Sequence, residues 1–185
     1  MTSVRQQNFL LRKEKILAMA ETLLLDNNQD ITLSELATEL DIAKGTIYKH
    51  FKSKNQLYLE LIILNETRLL EISQKHNNDI KTYVSEYMLY NMLNSNRTIL
   101  LHVIEERLTN NERKLKELFE KLYQIREQRI IEIKDMTSDY LKSLDSAMSI
   151  RDYLSYVWTV TYGASLLLNS THYQKSIGSR ERLIK

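Results

Sequence analysis

The chain has no proline and no cysteine, and among its 185 residues glycine occurs only at Gly45, Gly163 and Gly178. Average usage of about 5% proline and 7% glycine would supply roughly nine and thirteen. A sheet protein of this length needs turn residues that are absent here, so the composition predicts an all-α fold. Without cysteine, disulfides and thiolate metal sites are excluded, which fits a reducing cytoplasm. Long apolar runs are missing as well: stretches such as Ile16–Ala20 fall far short of the ~18 residues a membrane span requires. Arg12, Lys13, Glu14, Lys15 and Glu21 interrupt the N-terminus and leave no signal-peptide core. A soluble, cytoplasmic chain is the expectation.

Catalytic and metal-binding patterns are equally scarce. The four histidines, His50, His76, His102 and His172, form neither a His-Glu-x-x-His motif nor a paired Glu-x-x-His motif. His102 precedes Glu105 and Glu106 on one helical face, an arrangement that usually makes an ion pair. No Gly-rich phosphate loop is present. The expectation is a protein that is not an enzyme, with no metal and no cofactor.

What is present is concentrated in residues 31–54. Thr32 is placed to cap a helix, with its hydroxyl accepting from the Glu35 backbone while the Glu35 carboxylate reaches back. Leu33, Leu36, Ala37 and Leu40 then recur at helical spacing. Asp41-Ile42-Ala43 is a tight turn, and aspartate is one of the few residues other than glycine that tolerates a left-handed backbone. Ile42, Ile47 and Phe51 continue the apolar face of a second helix, which leaves Lys44, Thr46, Tyr48, Lys49 and His50 outward. From Ile42 to Leu59 there are four lysines and no acid, whereas Asp26 to Asp41 holds five acids and no base. The formal net charge of +2 conceals this segregation. Two short helices joined by a turn, the second of them basic, place side chains in a DNA major groove.

This segment resembles the N-terminal helix-turn-helix of the TetR (tetracycline repressor) family. The resemblance rests on Leu36-Ala37, Lys44-Gly45-Thr46-Ile47-Tyr48, His50-Phe51 and Ser53-Lys54-Asn55-Gln56-Leu57 and covers about residues 10–60. It implies DNA contacts at Thr32, Ser34, Lys44, Gly45, Thr46, Tyr48, Lys49, His50 and Lys54. Asp41 stands where the family often has glycine, and Ala43 where it often has a capping serine. Alanine caps poorly, so the recognition helix is expected to fray when free.

The remaining pattern predicts helices at about 5–26, 54–75, 79–94, 96–109, 111–144 and 149–173, with Asn27-Asn28-Gln29-Asp30 as the loop before the helix-turn-helix. The expected organisation is a three-helix DNA-binding domain over 1–54 and a helical ligand-binding and dimerisation domain over 55–185. The last two helices carry stripes that include Leu118, Leu122 and Ile125 on one and Leu154, Val157, Thr161, Ala164 and Leu168 on the other. These are the candidate dimer contacts, since two-fold pairing doubles the DNA site that one recognition helix reads. The resemblance implies a four-helix bundle made from those same helices. The middle of the chain is rich in tyrosine, which suits a mostly apolar ligand with a few polar handles. Its candidate lining is Met88, Met92, His102, Tyr123, Trp158 and Tyr162, with Arg126 as an anion partner. The function expected is that of a homodimeric repressor released from a palindromic double-stranded DNA operator by a small-molecule effector. The alternative is a helical small-molecule-binding or protein-interaction module that does not bind DNA.

Overall fold

In the computed structural model, residues 3–27, 30–109 and 113–184 are described, and among them every regular element is helical. Four helices come first: α1 (Val4–Asn27), α2 (Leu33–Glu39), α3 (Lys44–His50) and α4 (Lys54–Lys75). They are followed by α5 (Ile80–Leu93), α6 (Ser95–Thr109), a 3-10 turn (Arg113–Leu115), α7 (Lys116–Ser143), α8 (Ile150–Leu168), α9 (Thr171–Ser176) and α10 (Arg180–Ile184). The fold is all-α, with the N-terminal helices in a helix-turn-helix bundle and the later ones packed as a second helical layer. Asn28 and Gln29 of the expected loop, and the expected helix start at residue 111, lie outside the described residues.

Local chemistry sets the helix ends. At α2 both halves of the capping box form: Glu35 N–H donates to Thr32 Oγ1 at 3.1 Å, and Thr32 N–H donates to Glu35 Oε2 at 2.7 Å. Asp41 takes the left-handed backbone that the turn requires, with φ 50°. Ser53 caps α4 by accepting from the Gln56 backbone at 3.1 Å. Ala43 gives α3 no side-chain cap. The helix expected over 149–173 ends instead at Leu168. There Asn169 N–H turns back onto the Leu166 and Leu167 carbonyls, and the Ser170 hydroxyl accepts from Tyr173 N–H to start α9. Asn-Ser halts a helix because both side chains compete for backbone hydrogen bonds.

Two apolar clusters fill the interior. The larger runs from Ile16, Ala20 and Leu24 of α1 through Leu36, Ile47 and Phe51 to Leu57 and Leu61 of α4, and on to Leu108 and Leu122. The smaller joins Leu69 of α4 to Tyr83 and Tyr87 of α5, Ile133 of α7 and Val157 of α8. Two helices, α4 and α7, therefore thread both. No described helix is long and apolar enough to cross a membrane.

Candidate nucleic-acid interface and ligand cavities

The recognition helix α3 is held from beneath by Ile47 and Phe51, both fully buried. Lys44, Gly45, Tyr48 and Lys49 stand outward, Thr46 is half-buried, and Thr32 and Ser34 are exposed at the start of α2. These seven of the nine expected contacts are exposed or half-buried, and two of them, Ser34 and Lys44, line one shallow hollow between α2 and α3. Lys54 is half-buried and engaged, its Nζ donating to Asp30 Oδ2 at 2.8 Å. His50 is the departure: it is only 9% exposed, and its ring stacks on Phe9 at 4.1 Å between centroids. Its side chain serves to pack α1 on α3, because the 24-residue α1 extends far enough to lie across the end of the recognition helix. Arg5 and Arg12 come with it and flank Thr46 and Lys49 around a shallow hollow. Neither arginine carries a motif, so neither was expected there; only the length of α1 hints at it.

Burial, together with Arg12, Lys13 and Lys49, holds the His50 imidazole below its ordinary value of 6.5. The unfolded chain takes up that proton more readily than the folded one. His50 therefore contributes stability that is complete above pH 6.5 and is lost as the pH falls below it through the lowered folded value. The thermal midpoint is expected to drop on acidification across this range. His50→Phe, which keeps the stack on Phe9, should remove that part of the drop, so identical pH profiles for the two proteins would contradict the assignment.

The helix-turn-helix is also tied to the second layer. Tyr58, fully buried on α4, accepts from Ile31 N–H at 3.0 Å and donates to Asp30 Oδ1 at 2.9 Å. Burial pushes this phenol far above its usual range, so it stays a neutral donor. Arg107 at the end of α6 reaches the same Asp30 oxygen at 3.3 Å. Lys54 and Arg107, with Tyr58, hold the Asp30 carboxyl below its ordinary value despite partial burial.

Deeper in the second layer, Glu66 of α4 meets two arginines of α7. Arg126 Nε and Nη2 donate to Glu66 Oε1 at 3.0 and 2.9 Å, and Arg129 Nη2 lies 3.1 Å from Glu66 Oε2. Arg126 also grips Glu105 of α6 through two bonds of 2.6 and 2.7 Å. The anion partner expected at Arg126 is thus occupied by two carboxylates of the chain itself, a pairing at long sequence separation that no local spacing announces.

Two cavities adjoin this network. One of about 360 Å³ is lined by His102, Arg126, Trp158 and Tyr162 among others, which brings four of the seven expected ligand residues together. His102 and Tyr162 meet edge to face at 4.9 Å, and Trp158 stacks on Tyr162 at 5.8 Å. The other, of about 530 Å³, lies between α5, α7 and α8 and includes Tyr83, Tyr87, Arg129, Lys134, Arg151 and Trp158. Met88, Met92 and Tyr123 line neither; the two methionines belong to the packing of α5, and Tyr123 is half exposed.

Of the eight expected dimer contacts, Leu122, Val157, Thr161 and Leu168 are buried inside the chain, and Leu118, Ile125, Leu154 and Ala164 are half-buried. Leu118, Ile125 and Leu154 pack against the apolar clusters. The outward side of α8 is a different stripe, Tyr156, Thr159, Val160, Leu166 and Leu167, with half-buried Gly163 at its centre, and a Cβ added at Gly163 would meet nothing within 4 Å. Among the described residues no group of three or more histidines and carboxylates is placed to hold a metal ion.

Residues 16–61 match the family described as "Bacterial regulatory proteins, tetR family". The chain is also similar to the HTH-type transcriptional regulator QacR of Staphylococcus aureus (strain Mu50 / ATCC 700699), at 34% identity over 82 residues. That match covers 44% of this chain and 44% of the relative, less than half the length of either.

Proposed function

We propose that this chain, a member of the TetR family of helix-turn-helix regulators, represses transcription as a dimer on a two-fold DNA site and releases it when a small, largely apolar ligand binds. The observation that carries the reading is α3: a buried Ile47–Phe51 underside and an outward Lys44, Tyr48 and Lys49, beside Arg5 and Arg12. Lysines and a phenol on one rigid face suit phosphate oxygens and base edges. Thr32, Ser34, Gly45, Thr46 and Lys54 are the further contacts of this reading, with residues 1–54 as the DNA-binding part and 55–185 as the sensing and pairing part.

Two recognition helices read adjacent half-sites only when about one DNA turn apart, ~34–36 Å. Each is carried on α4, whose Glu66 is bound to Arg126 and Arg129 of α7; Arg126 in turn reaches Glu105 of α6, and Arg129 lines both cavities. A ligand that repacks α5–α8 can therefore change the spacing without touching DNA. It need only bind one spacing better than the other, and a hundredfold preference amounts to ~2.7 kcal/mol of coupling. By linkage, operator must weaken the ligand by the same factor.

A mobility-shift assay on DNA upstream of the protein's own coding region, with and without a metabolite panel, tests the whole reading. In that assay Lys44→Ala and Lys49→Ala should each weaken binding while thermal stability holds. A lysine that touches phosphate should also flatten the log-affinity against log-salt slope by ~0.9 per protomer. Unchanged affinity for every substitution on α3 would remove DNA binding from the reading.

A further inference from the structure

The larger cavity has an uneven charge inventory. Its wall is built from Tyr83, Tyr87, Ile133, Leu154, Val157 and Trp158, and its cations are Arg129, Lys134 and Arg151, with no carboxylate among the described lining residues. Lys134 and Arg151 stand at the exposed end, and among the described residues neither makes an ion pair. Arg129 lies at the inner end. One nitrogen faces Glu66, but its buried Nε has no hydrogen-bond partner, and its guanidinium sits 5.5 Å from the centre of the Tyr87 ring. Buried donors without acceptors are rare in folded proteins, so this Nε has room for one more acceptor, although Glu66 and Tyr87 already engage the rest of the guanidinium. The single carboxylate of α8, Asp152, is turned onto the Ser149 hydroxyl at 2.6 Å.

We propose that the cavity between α5, α7 and α8 takes an amphipathic anion, an apolar body lying along Ile133, Leu154 and Val157 with its anionic head among Arg129, Lys134 and Arg151. The volume of about 530 Å³ falls inside the ~300–1,000 Å³ typical of small-molecule sites. A second copy of the chain is a poorer occupant: Leu154, Val157 and Trp158 lie on a different side of α8 from Tyr156, Thr159 and Val160, which turn outward. A cationic amphiphile would meet Lys134 and Arg151 with no carboxylate in the cavity lining, and the one counter-charge behind it, Glu66, is already taken up by Arg126 and Arg129. The inference names the ligand class for the release proposed above and rests on that reading only for its consequence, not for binding itself.

Trp158 is the chain's single tryptophan and lines both cavities, so its emission reports a ligand in either, and Lys134 and Arg151, which line only the larger one, assign the site. The full chain is titrated below the micellar range with dodecanoate, dodecanol and dodecyltrimethylammonium. Dodecanoate should shift the emission saturably, and bind about tenfold or more tightly than either other probe. Lys134→Gln combined with Arg151→Gln, both at exposed positions that leave the core intact, should abolish that preference while the dodecanol titration stays unchanged. Equal binding of dodecanoate and dodecyltrimethylammonium, a preference that survives the double substitution, or no saturable change would each overturn the proposal. A parallel mobility shift separates the two ideas. Dodecanoate that binds Trp158's cavity but leaves the DNA complex intact supports this site and counts against ligand release; DNA binding with no saturable dodecanoate signal overturns this site alone.

Discussion

Glu66→Ala should destabilise the protein by ~3–5 kcal/mol, because it leaves two largely buried arginines facing one another across an empty place. Arg126 and Arg129 both converge on this carboxylate, and Glu105 can compensate only Arg126. At ~2–4 °C per kcal/mol for a chain of this size, the thermal midpoint should fall by roughly 6–20 °C. The cost arises from the uncompensated charge more than from the lost attraction. Combining Glu66→Met with Arg129→Leu should therefore recover a large part of it, since apolar residues of similar volume often replace buried ion pairs at little cost. Thermal melts of the single and double variants decide the matter. A single-variant loss below ~1 kcal/mol would mean that the network is effectively solvated, as surface pairs are.

Gly163→Arg should convert the protein to monomers and reduce operator affinity by orders of magnitude. Gly163 is at the centre of the outward stripe of α8, and nothing in its own chain requires the absence of a side chain there. A mid-helix glycine costs about 1 kcal/mol relative to alanine, a cost that a close helix approach in a second copy would offset. The substitution meets open space within the protomer, so the variant should stay folded, with a thermal midpoint lowered only by what pairing adds through mass action, less the gain in helix propensity. Light scattering should find a mass of twice the 21.9 kDa chain for the parent and one chain for the variant. A parent that is monomeric at micromolar concentration, or a variant that still pairs, would dismiss α8 as the assembly surface.

The amino-acid sequence makes legible whatever depends on neighbours along the chain. The Thr32–Glu35 capping box, the left-handed Asp41, the missing cap at Ala43 and the outward Lys44, Tyr48 and Lys49 all follow from residues within four positions of one another. Pairings over long separations could not be read. Nothing local links Glu66 to Arg126, or Asp30 to Arg107, so Arg126 looked free for a ligand when it was already held. The α8 stripes show a subtler difficulty. That helix is apolar on both sides, so a three- and four-residue repeat found Leu154, Val157, Thr161 and Leu168 but could not say that this side faces its own chain. His50 misled for a related reason: the motif places it on the recognition helix, but only the length of α1 puts Phe9 against it.

The threading of α4 through both apolar clusters limits how such a protein can be recombined. If residues 1–54 were grafted onto a foreign body, Ile16, Ala20, Leu24 and Phe51 would lose Leu57 and Leu61, and the cluster would lose Leu108 and Leu122. The graft would expose the underside of the recognition helix to water, and its loop at Asp30 would lose Tyr58 and Arg107. A transplantable reading head of this kind has to bring most of α4 with it, along with matching apolar ends on α6 and α7. The division proposed after residue 54 is thus a division of labour, laid over a core that the two parts own jointly.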